Sequence, residues 1–255
     1  MITGFLLALQ FFTSVPVRKN LPIGGRETVW MFTLYPIVGG LIGLAAWAAT
    51  ALLSGPAGTG PLLSAFAAVL VFAVLSGGLH LDGWADMGDA YFSYRDREKR
   101  LEIMGDPRIG AFGTMALLFL LLGKIAVLSE VIMRGGAGWM VFMLVPFAAR
   151  AGLALYCSSA PQAKDSGLLV FLGSKAGGAR VGIPAALMLL AGLAAASAGL
   201  GTVALPAAFL LVVLVAVAGF RQWTIRNFGG ATGDLAGAFV EGSELLLWTV
   251  LLFFI

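Results

Sequence analysis

The sequence predicts an all-α, polytopic integral membrane protein, folded as one helical bundle over residues 1–255. Two observations carry this prediction. The chain is 60% hydrophobic and only 11% charged, whereas an ordinary soluble domain is about 25% charged. The apolar residues also collect in long runs, and a run of about 20 residues can cross a bilayer as a helix. No linker, low-complexity tract or repeat divides the chain, so we expect a single domain in the lipid bilayer.

Seven apolar runs reach about 18 residues or more and are predicted to span the membrane. A shorter run at residues 3–16 predicts an interfacial or shallowly inserted N-terminal helix, although spanning is left open. We expect it to be retained, because its basic residues, Arg18 and Lys19, follow the run rather than precede it as in a cleaved signal peptide. The predicted spans are residues 28–54, 61–82, 110–132, 138–158, 180–199, 202–224 and 234–255.

The connecting loops alternate in charge along the chain. Thirteen of the sixteen lysines and arginines lie in loops 17–27, 93–109, 159–180 and 221–232, whereas the intervening loops hold Arg134 alone. Cytoplasmic loops carry the excess of lysine and arginine in membrane proteins. We therefore expect a multi-pass membrane protein whose cation-rich loops lie on the cytoplasmic face.

Three aspartates follow the second predicted span. If the helix continues, Asp82, Asp86 and Asp89 fall within about 60° of one another on one face. Carboxylates so placed at a membrane boundary repel one another and need a compensating cation. Mg²⁺ suits them, because it takes carboxylate, water and phosphate oxygens. Solvated acids at a helix end are the alternative, and for His80, the one histidine in the chain, a structural hydrogen bond and a binding role are both open.

A glycine-rich stretch opens the last predicted span. It runs Asn227-Phe-Gly229-Gly230-Ala-Thr232-Gly233-Asp234. Dense glycine leaves backbone N–H groups accessible, and a helix N-terminus follows, which favours a phosphate ligand. A tight turn with close helix packing is the alternative. Glu241 lies about two turns further along, where a carboxylate is costly unless it is paired or coordinated.

Other polar residues lie on or near the cation-rich side. Asp106, in the turn before the third span, is predicted to be an N-cap or a further metal ligand, and Arg108 follows it. Arg150 could hold a phosphate or neutralise a carboxylate, and Lys164 adds a cation. Acids for a metal together with glycines and cations for phosphate predict metal-assisted phosphoryl transfer with a membrane-held participant. No nucleic-acid partner is expected.

Two smaller features complete the pattern. Residues 96–106 predict a short amphipathic helix at the membrane interface, with Leu101, Ile103 and Met104 turned towards lipid or protein. Lys124 and Glu130 lie deeper in a span, and an intramembrane ion pair or snorkelling is the plain interpretation.

Three motifs follow one another along the chain: His80-Leu-Asp82-Gly83-x-x-Asp86-x-x-Asp89, Arg-Leu-x-Ile-Met-x-Asp106-x-Arg108-Ile-Gly110 and Gly229-Gly230-x-Thr232-Gly233-Asp234. In this order they resemble the motifs of the cobalamin synthase family, the adenosylcobinamide-GDP ribazoletransferases. The resemblance covers nearly the whole chain, including Tyr35-Pro36-x-Val-Gly near the start. The resemblance implies a Mg²⁺-dependent reaction that joins adenosylcobinamide-GDP to α-ribazole or its 5′-phosphate and releases GMP. It also implies a protein of the bacterial cytoplasmic (inner) membrane with its active site on the cytoplasmic face.

The resemblance also implies roles for the polar residues named above. The metal would be held by Asp82, Asp86 and Asp89, with Asp234 completing the site, and Asp89 or Asp106 would take the proton of the ribazole hydroxyl. The four expected catalytic residues are Asp82, Asp86, Asp89 and Asp106. The expected substrate-binding residues are His80, Arg108, Arg150, Lys164, Gly229, Gly230, Thr232, Gly233, Asp234 and Glu241.

Two alternatives remain from the sequence. A CDP-alcohol phosphotransferase of lipid synthesis would share the acids and the metal, but it should show Asp-Gly-x-x-Ala-Arg, which Asp82-Gly-Trp-Ala-Asp86-Met does not match. A cation-coupled transporter would place its carboxylates near the middle of the bilayer, whereas these collect at one end. The number of metal ions, the form of ribazole and homo-oligomerisation are left open.

Overall fold

The protein is a bundle of eleven α-helices, described over all 255 residues by a computed structural model. No strand is present, and the one isolated β-bridge joins Gln162 to Ala231. The predicted all-α bundle is therefore confirmed. The helices are α1 Ile2–Phe12, α2 Gly25–Ser54, α3 Pro61–Leu75, α4 Leu79–Phe92, α5 Arg97–Ile103, α6 Ala111–Met133, α7 Trp139–Ser159, α8 Leu168–Lys175, α9 Gly178–Leu200, α10 Ala204–Phe228 and α11 Gly233–Leu251.

The number of membrane-spanning helices differs from the seven predicted. Five helices, α2, α6, α7, α9 and α10, are long and apolar enough to cross a membrane, and α3 with α4 adds a sixth if the bent pair counts as one span. Helix α11 falls short of that test because three acids, Asp234, Glu241 and Glu244, lie within its 19 residues. Helix α1 has only 11 residues and rises about 16 Å, too little to cross.

The predicted span 61–82 is broken. Helix α3 ends at Leu75, and α4 begins at Leu79 after a bend of 92°. Gly77 and Gly78 in the break have φ of +64° and +73°, a left-handed conformation that glycine adopts without the steric penalty of a side chain. The bend carries α4, with the three aspartates, across the bundle to pack against α6 and α11.

Helix α7 lies at the centre of the bundle and packs against α2, α9, α10 and α11. Its closest approach is to α2, where Gly39 and Gly43 lie against the backbone carbonyls of Pro146 and Phe142 with no room for a Cβ. Glycines let membrane helices approach backbone to backbone in this way. The tight contact fixes the inner wall against which the candidate site is built.

Candidate active site

The two motifs that are most distant in sequence meet where α4 crosses the start of α11. Gly83 of α4 lies against Asp234, so that a Cβ on Gly83 would be only 2.9 Å from Asp234 Cα. One turn along α11, Gly237 lies against His80 in the same way, at 3.1 Å from His80 Cα. Because both contact points are glycines, the helices cross in direct backbone contact. The structure thus brings together the aspartate motif and the glycine-rich motif.

A cavity of about 270 Å³ opens at this crossing. Ligand pockets usually measure about 300–1,000 Å³, and this cavity lies just below the lower end of that range. Its polar side contains His80, Asp82, Lys164, Thr232 and Asp234. Its apolar side is formed by Phe12, Phe32, Leu153, Cys157, Leu169 and Leu172.

Asp82 and Asp86 share one face of α4, as predicted, and neither has a partner. Asp82 lies on the cavity wall, and half-buried Asp86 is close enough to be repelled by Asp82, Asp234 and Asp89. None of the six ion pairs in the structure includes Asp82, Asp86 or Asp234. Negative charge is therefore concentrated at the crossing, where Lys164 is the nearby cation but forms no ion pair with these acids.

Asp89, on the same face, has a structural partner instead. Its two oxygens accept hydrogen bonds from the backbone N–H groups of Gly110 (2.6 Å) and Gly113 (2.8 Å). These donors belong to the first turn of α6, whose own cap residue, Gly110, has no side chain to satisfy them. Asp89 therefore caps α6 from a neighbouring helix, and its charge also complements the positive end of the α6 dipole.

Asp106 does not cap α6, so that part of the sequence interpretation is wrong. It pairs with Arg108, accepting hydrogen bonds from the Arg108 backbone N–H (3.0 Å), Nε (2.9 Å) and Nη2 (2.7 Å). The side-chain hydrogen bonds, followed by the backbone one, lower the pKa of Asp106 to about 2. Neither residue lines the cavity, so the structure does not bring Asp106 or Arg108 to the crossing.

No three His, Cys, Asp or Glu side chains converge closely enough to form a finished metal cage. The donor chemistry at the crossing nevertheless fits Mg²⁺, because the carboxylates of Asp82, Asp86 and Asp234 are free of ion pairs and mutually repelling. Mg²⁺ usually binds one or two carboxylates and keeps water and phosphate as its other ligands. These three residues are the ones that could hold it.

The glycine-rich loop is anchored from two sides. Arg97 of α5 lies over Gly229 and donates from Nε to the Phe228 carbonyl at 2.9 Å. Gly229 has φ of +85° and no room for a Cβ under the guanidinium. On the other side, the Ala231 N–H donates to the Pro161 carbonyl at 2.7 Å, and Ala231 accepts from the Ala163 N–H at 3.0 Å. This short bridge brings the neighbouring Lys164 to the cavity.

The loop ends at the N-terminus of α11. Thr232 is the cap residue, and its hydroxyl accepts from the Leu235 N–H at 3.1 Å. Gly230 has φ of +156° and lies against the Pro161 carbonyl. Gly233, by contrast, has no heavy atom within 4 Å of where its Cβ would be. The glycines thus serve two purposes, since Gly229 and Gly230 allow close contacts and Gly233 leaves open space on the cavity side.

The short helix predicted within residues 96–106 is present as α5, which is shorter and spans Arg97–Ile103. Asp96 caps it by accepting from the Lys99 N–H at 2.9 Å. Leu101, Ile103 and Met104 turn towards protein, where they join a small apolar cluster with Phe228. Helix α5 therefore holds the end of α10 from which the glycine-rich loop begins.

Arg150 and Glu241 belong to a buried ion cluster rather than to the cavity wall. Lys124 Nζ donates to Glu241 and, at 2.7 Å, to Glu244. Arg150 Nη1 donates to the other oxygen of Glu244, also at 2.7 Å. All four side chains are almost fully buried, and two cations balance two carboxylates. The structure therefore does not place Arg150 or Glu241 at the cavity, where they were predicted to bind substrate. Arg150 instead neutralises a carboxylate, which was the alternative prediction.

Lys124 does not pair with Glu130, which instead accepts from Arg134 at 2.7 Å. Sequence reasoning gave no role to Tyr35, yet its hydroxyl lies 2.7 Å from His80 Nε2. The Arg150 guanidinium lies 5.6 Å from the centre of the Tyr35 ring. Tyr35 therefore connects His80 on the cavity wall to the ion cluster, and its one sequence signal was its place in the Tyr35-Pro36 motif.

Comparison with known proteins identifies the family. The family model described as cobalamin-5-phosphate synthase matches residues 4–252. The adenosylcobinamide-GDP ribazoletransferase of Geobacillus kaustophilus is 36% identical over 250 residues, covering 97% of this chain and 94% of the relative. The protein of the same name from Pseudomonas aeruginosa is 37% identical over 244 residues, covering 95% of both chains. No solved structure matches. The chain thus belongs to the cobalamin-5-phosphate synthase family.

Proposed function

We propose that the protein is a Mg²⁺-dependent adenosylcobinamide-GDP ribazoletransferase. It would join adenosylcobinamide-GDP to α-ribazole, or to the 5′-phosphate of α-ribazole, with release of GMP. The observation that carries the proposal is the meeting of unpartnered acids on α4 with the N-terminus of α11 around one cavity. Phosphoryl transfer depends mainly on positioning and charge stabilisation, and this arrangement supplies groups for both.

The acids, Lys164 and the start of α11 each have a place in this proposal. Mg²⁺ held by Asp82, Asp86 and Asp234 would neutralise the charge that develops on the diphosphate. Lys164 would add a positive charge at the same wall. The first N–H groups of α11, which have no partner within the helix, would donate to phosphate oxygens. Gly233 would keep that approach open.

The proton acceptor must lie within reach of the ribazole hydroxyl. Asp82 and Asp234 are the acids on the cavity wall, whereas Asp89 and Asp106 are not. Asp89 is held by α6 and Asp106 by Arg108. We therefore assign proton transfer to Asp82 or Asp234 in place of the two candidates chosen from the sequence.

We also propose that the site faces the cytoplasm from the inner membrane. The cavity lies at the end of the bundle that carries Lys164, Arg97 and Arg100, in two of the cation-rich loops. The positive-inside rule places such loops in the cytoplasm. Nucleotide-activated substrates are present there, which is consistent with this orientation.

The experiment is release of GMP by the purified protein in detergent. GMP should form from adenosylcobinamide-GDP only when α-ribazole or its 5′-phosphate and Mg²⁺ are both present. Asp82→Asn should lower the rate about a hundredfold, whereas Asp165→Asn, a matched change at an exposed acid beside Lys164 that does not line the cavity, should not. GMP release that needs no ribazole would contradict the proposal.

A further inference from the structure

The cavity has two chemically different halves, and the apolar half has no role in the proposal so far. The apolar wall described above is formed by residues of four helices, α1, α2, α7 and α8, and Leu79 at the start of the acid-bearing α4 also lines the cavity. Phe32, Leu153, Leu169 and Leu172 are all buried, so this wall is well packed. The Phe12 and Phe32 rings form a tilted pair at 6.3 Å. A flat aromatic group can be bound by such rings through offset or edge contacts.

A second cavity of about 340 Å³ adjoins the first along α8. The shared wall contains Phe32, Cys157, Gln162, Leu169, Val170 and Leu172. No acid lines the second cavity, so the space beside the crossing continues along α8 away from the acids. Gln162 Oε1, on this shared wall, is buried with no hydrogen-bond partner. A buried acceptor without a donor is costly, so a ligand hydroxyl group would complete it.

We infer that this apolar half binds the aromatic base of the ribazole, an inference that rests on the proposed function. The ribose would then lie at Gln162, with its reacting end directed to Asp82 and Asp234. The base of α-ribazole is a dimethylbenzimidazole, whose outer edge is apolar. Burial of that edge against Phe12, Phe32 and Leu172 removes apolar surface from water, which is favourable.

The other groups in the reaction fit this space less well. Guanine carries donors and acceptors along its edge, and they would lose their water here against leucine, valine and phenylalanine. The corrin ring is several times larger than a cavity of about 270 Å³. The corrinoid substrate therefore stays outside the cavity and presents only its diphosphate to Asp234 and Lys164.

The single cysteine provides a direct test, because Cys157 lines both cavities. The uncharged reagent methyl methanethiosulfonate is applied to the full-length protein in detergent. α-Ribazole at about ten times its Kd should slow the modification about tenfold. Adenosylcobinamide-GDP and GMP, each with Mg²⁺, should leave the rate unchanged. Protection by GMP, or no protection by saturating α-ribazole, would overturn the inference.

A pair of variants on α8 tests the same inference by kinetics. Val170 lines both cavities, whereas Phe171, its neighbour, is 43% exposed and lines neither. Val170→Trp should raise KM for α-ribazole about tenfold or more and leave KM for adenosylcobinamide-GDP within about twofold. Phe171→Trp should behave as wild type. A rise only in KM for the corrinoid would contradict the assignment, and if Val170→Trp does not fold, the Cys157 protection result decides.

The proposed function and the location of the ribazole base can be refuted separately. If the wild-type protein releases no GMP under any combination of substrates, the proposed function fails. If it releases GMP but Cys157 is unprotected by α-ribazole, only the location of the base is wrong.

Discussion

Replacement of Lys124 by methionine should destabilise the protein through the buried ion cluster. The four side chains, Lys124, Arg150, Glu241 and Glu244, are each at most 5% exposed. Methionine has nearly the length of lysine and no charge, so Lys124→Met removes two ion pairs without leaving a large void. It leaves one cation against two carboxylates in the interior of the bundle.

Two estimates indicate that Lys124→Met lowers the free energy of unfolding by about 4 kcal/mol. Removal of one partner from a buried ion pair typically costs about 3–5 kcal/mol. The protein can limit this loss by protonating Glu241, and neutralising a carboxyl group with an ordinary pKa of about 4.3 at pH 7 costs about 3.7 kcal/mol. The folded variant then binds a proton that the unfolded chain lacks, so the penalty should shrink as the pH falls from 7 towards 5.

The assay is unfolding in detergent at several pH values, with two further variants. Lys124→Met combined with Glu241→Gln restores the charge balance and should recover at least half of the loss. Arg134→Met breaks a pair with Glu130 whose side chains are 44% and 34% exposed, and exposed pairs contribute at most about 1 kcal/mol. A Lys124→Met protein within about 1 kcal/mol of wild type, or a double variant no more stable than the single one, would refute the reasoning.

Three further predictions concern the site and its orientation. Asp89→Asn keeps one acceptor oxygen for α6 and should lower stability by about 1–3 kcal/mol, so an unchanged melting temperature would argue against capping. Gly233→Val should raise KM for adenosylcobinamide-GDP while the melting temperature stays within about 3 °C, because no heavy atom lies within 4 Å of the new Cβ; an unchanged KM would exclude the open approach to phosphate. In a Cys157→Ala background, Lys175→Cys should resist an impermeant thiol reagent added outside intact cells, and rapid labelling there would reverse the orientation.

The acid stripe of α4 was predictable because it depends only on local geometry. Once residues 79–92 form a helix, the spacing of Asp82, Asp86 and Asp89 fixes their common face. The break before α4 was not predictable in this way, since glycines are common within membrane helices and composition does not reveal φ. The role of Asp89 was also hidden, because its partner amides at Gly110 and Gly113 come from another helix.

The ion cluster shows a different limit of sequence reasoning. The sequence indicated that Glu241 needs a partner, but it could not choose one. Lys124, on α6, became the partner through packing of α6 against α11, a contact between segments far apart in the chain. Glu130 and Arg134, by contrast, form an i,i+4 pair, a spacing that can be recognised from the sequence alone.

The apolar wall of the cavity had no signal at all. In a chain that is 60% hydrophobic, Phe12, Phe32 and Leu172 look the same whether they face lipid, the core or a ligand. Only the folded arrangement of α1, α2 and α8 distinguishes these surroundings.

The central claim is that Asp82 and Asp234 act together at one site. Its most direct test is the rate of GMP release by Asp82→Asn, Asp234→Asn and the double variant, at saturating Mg²⁺ and both substrates. When two residues act as a unit, removing the second adds little to the loss caused by removing the first. The rate should therefore fall about a hundredfold in each single variant and little further in the double variant. Losses that multiply to about ten-thousandfold in the double variant, or near-normal turnover in either folded single variant, would contradict the shared site.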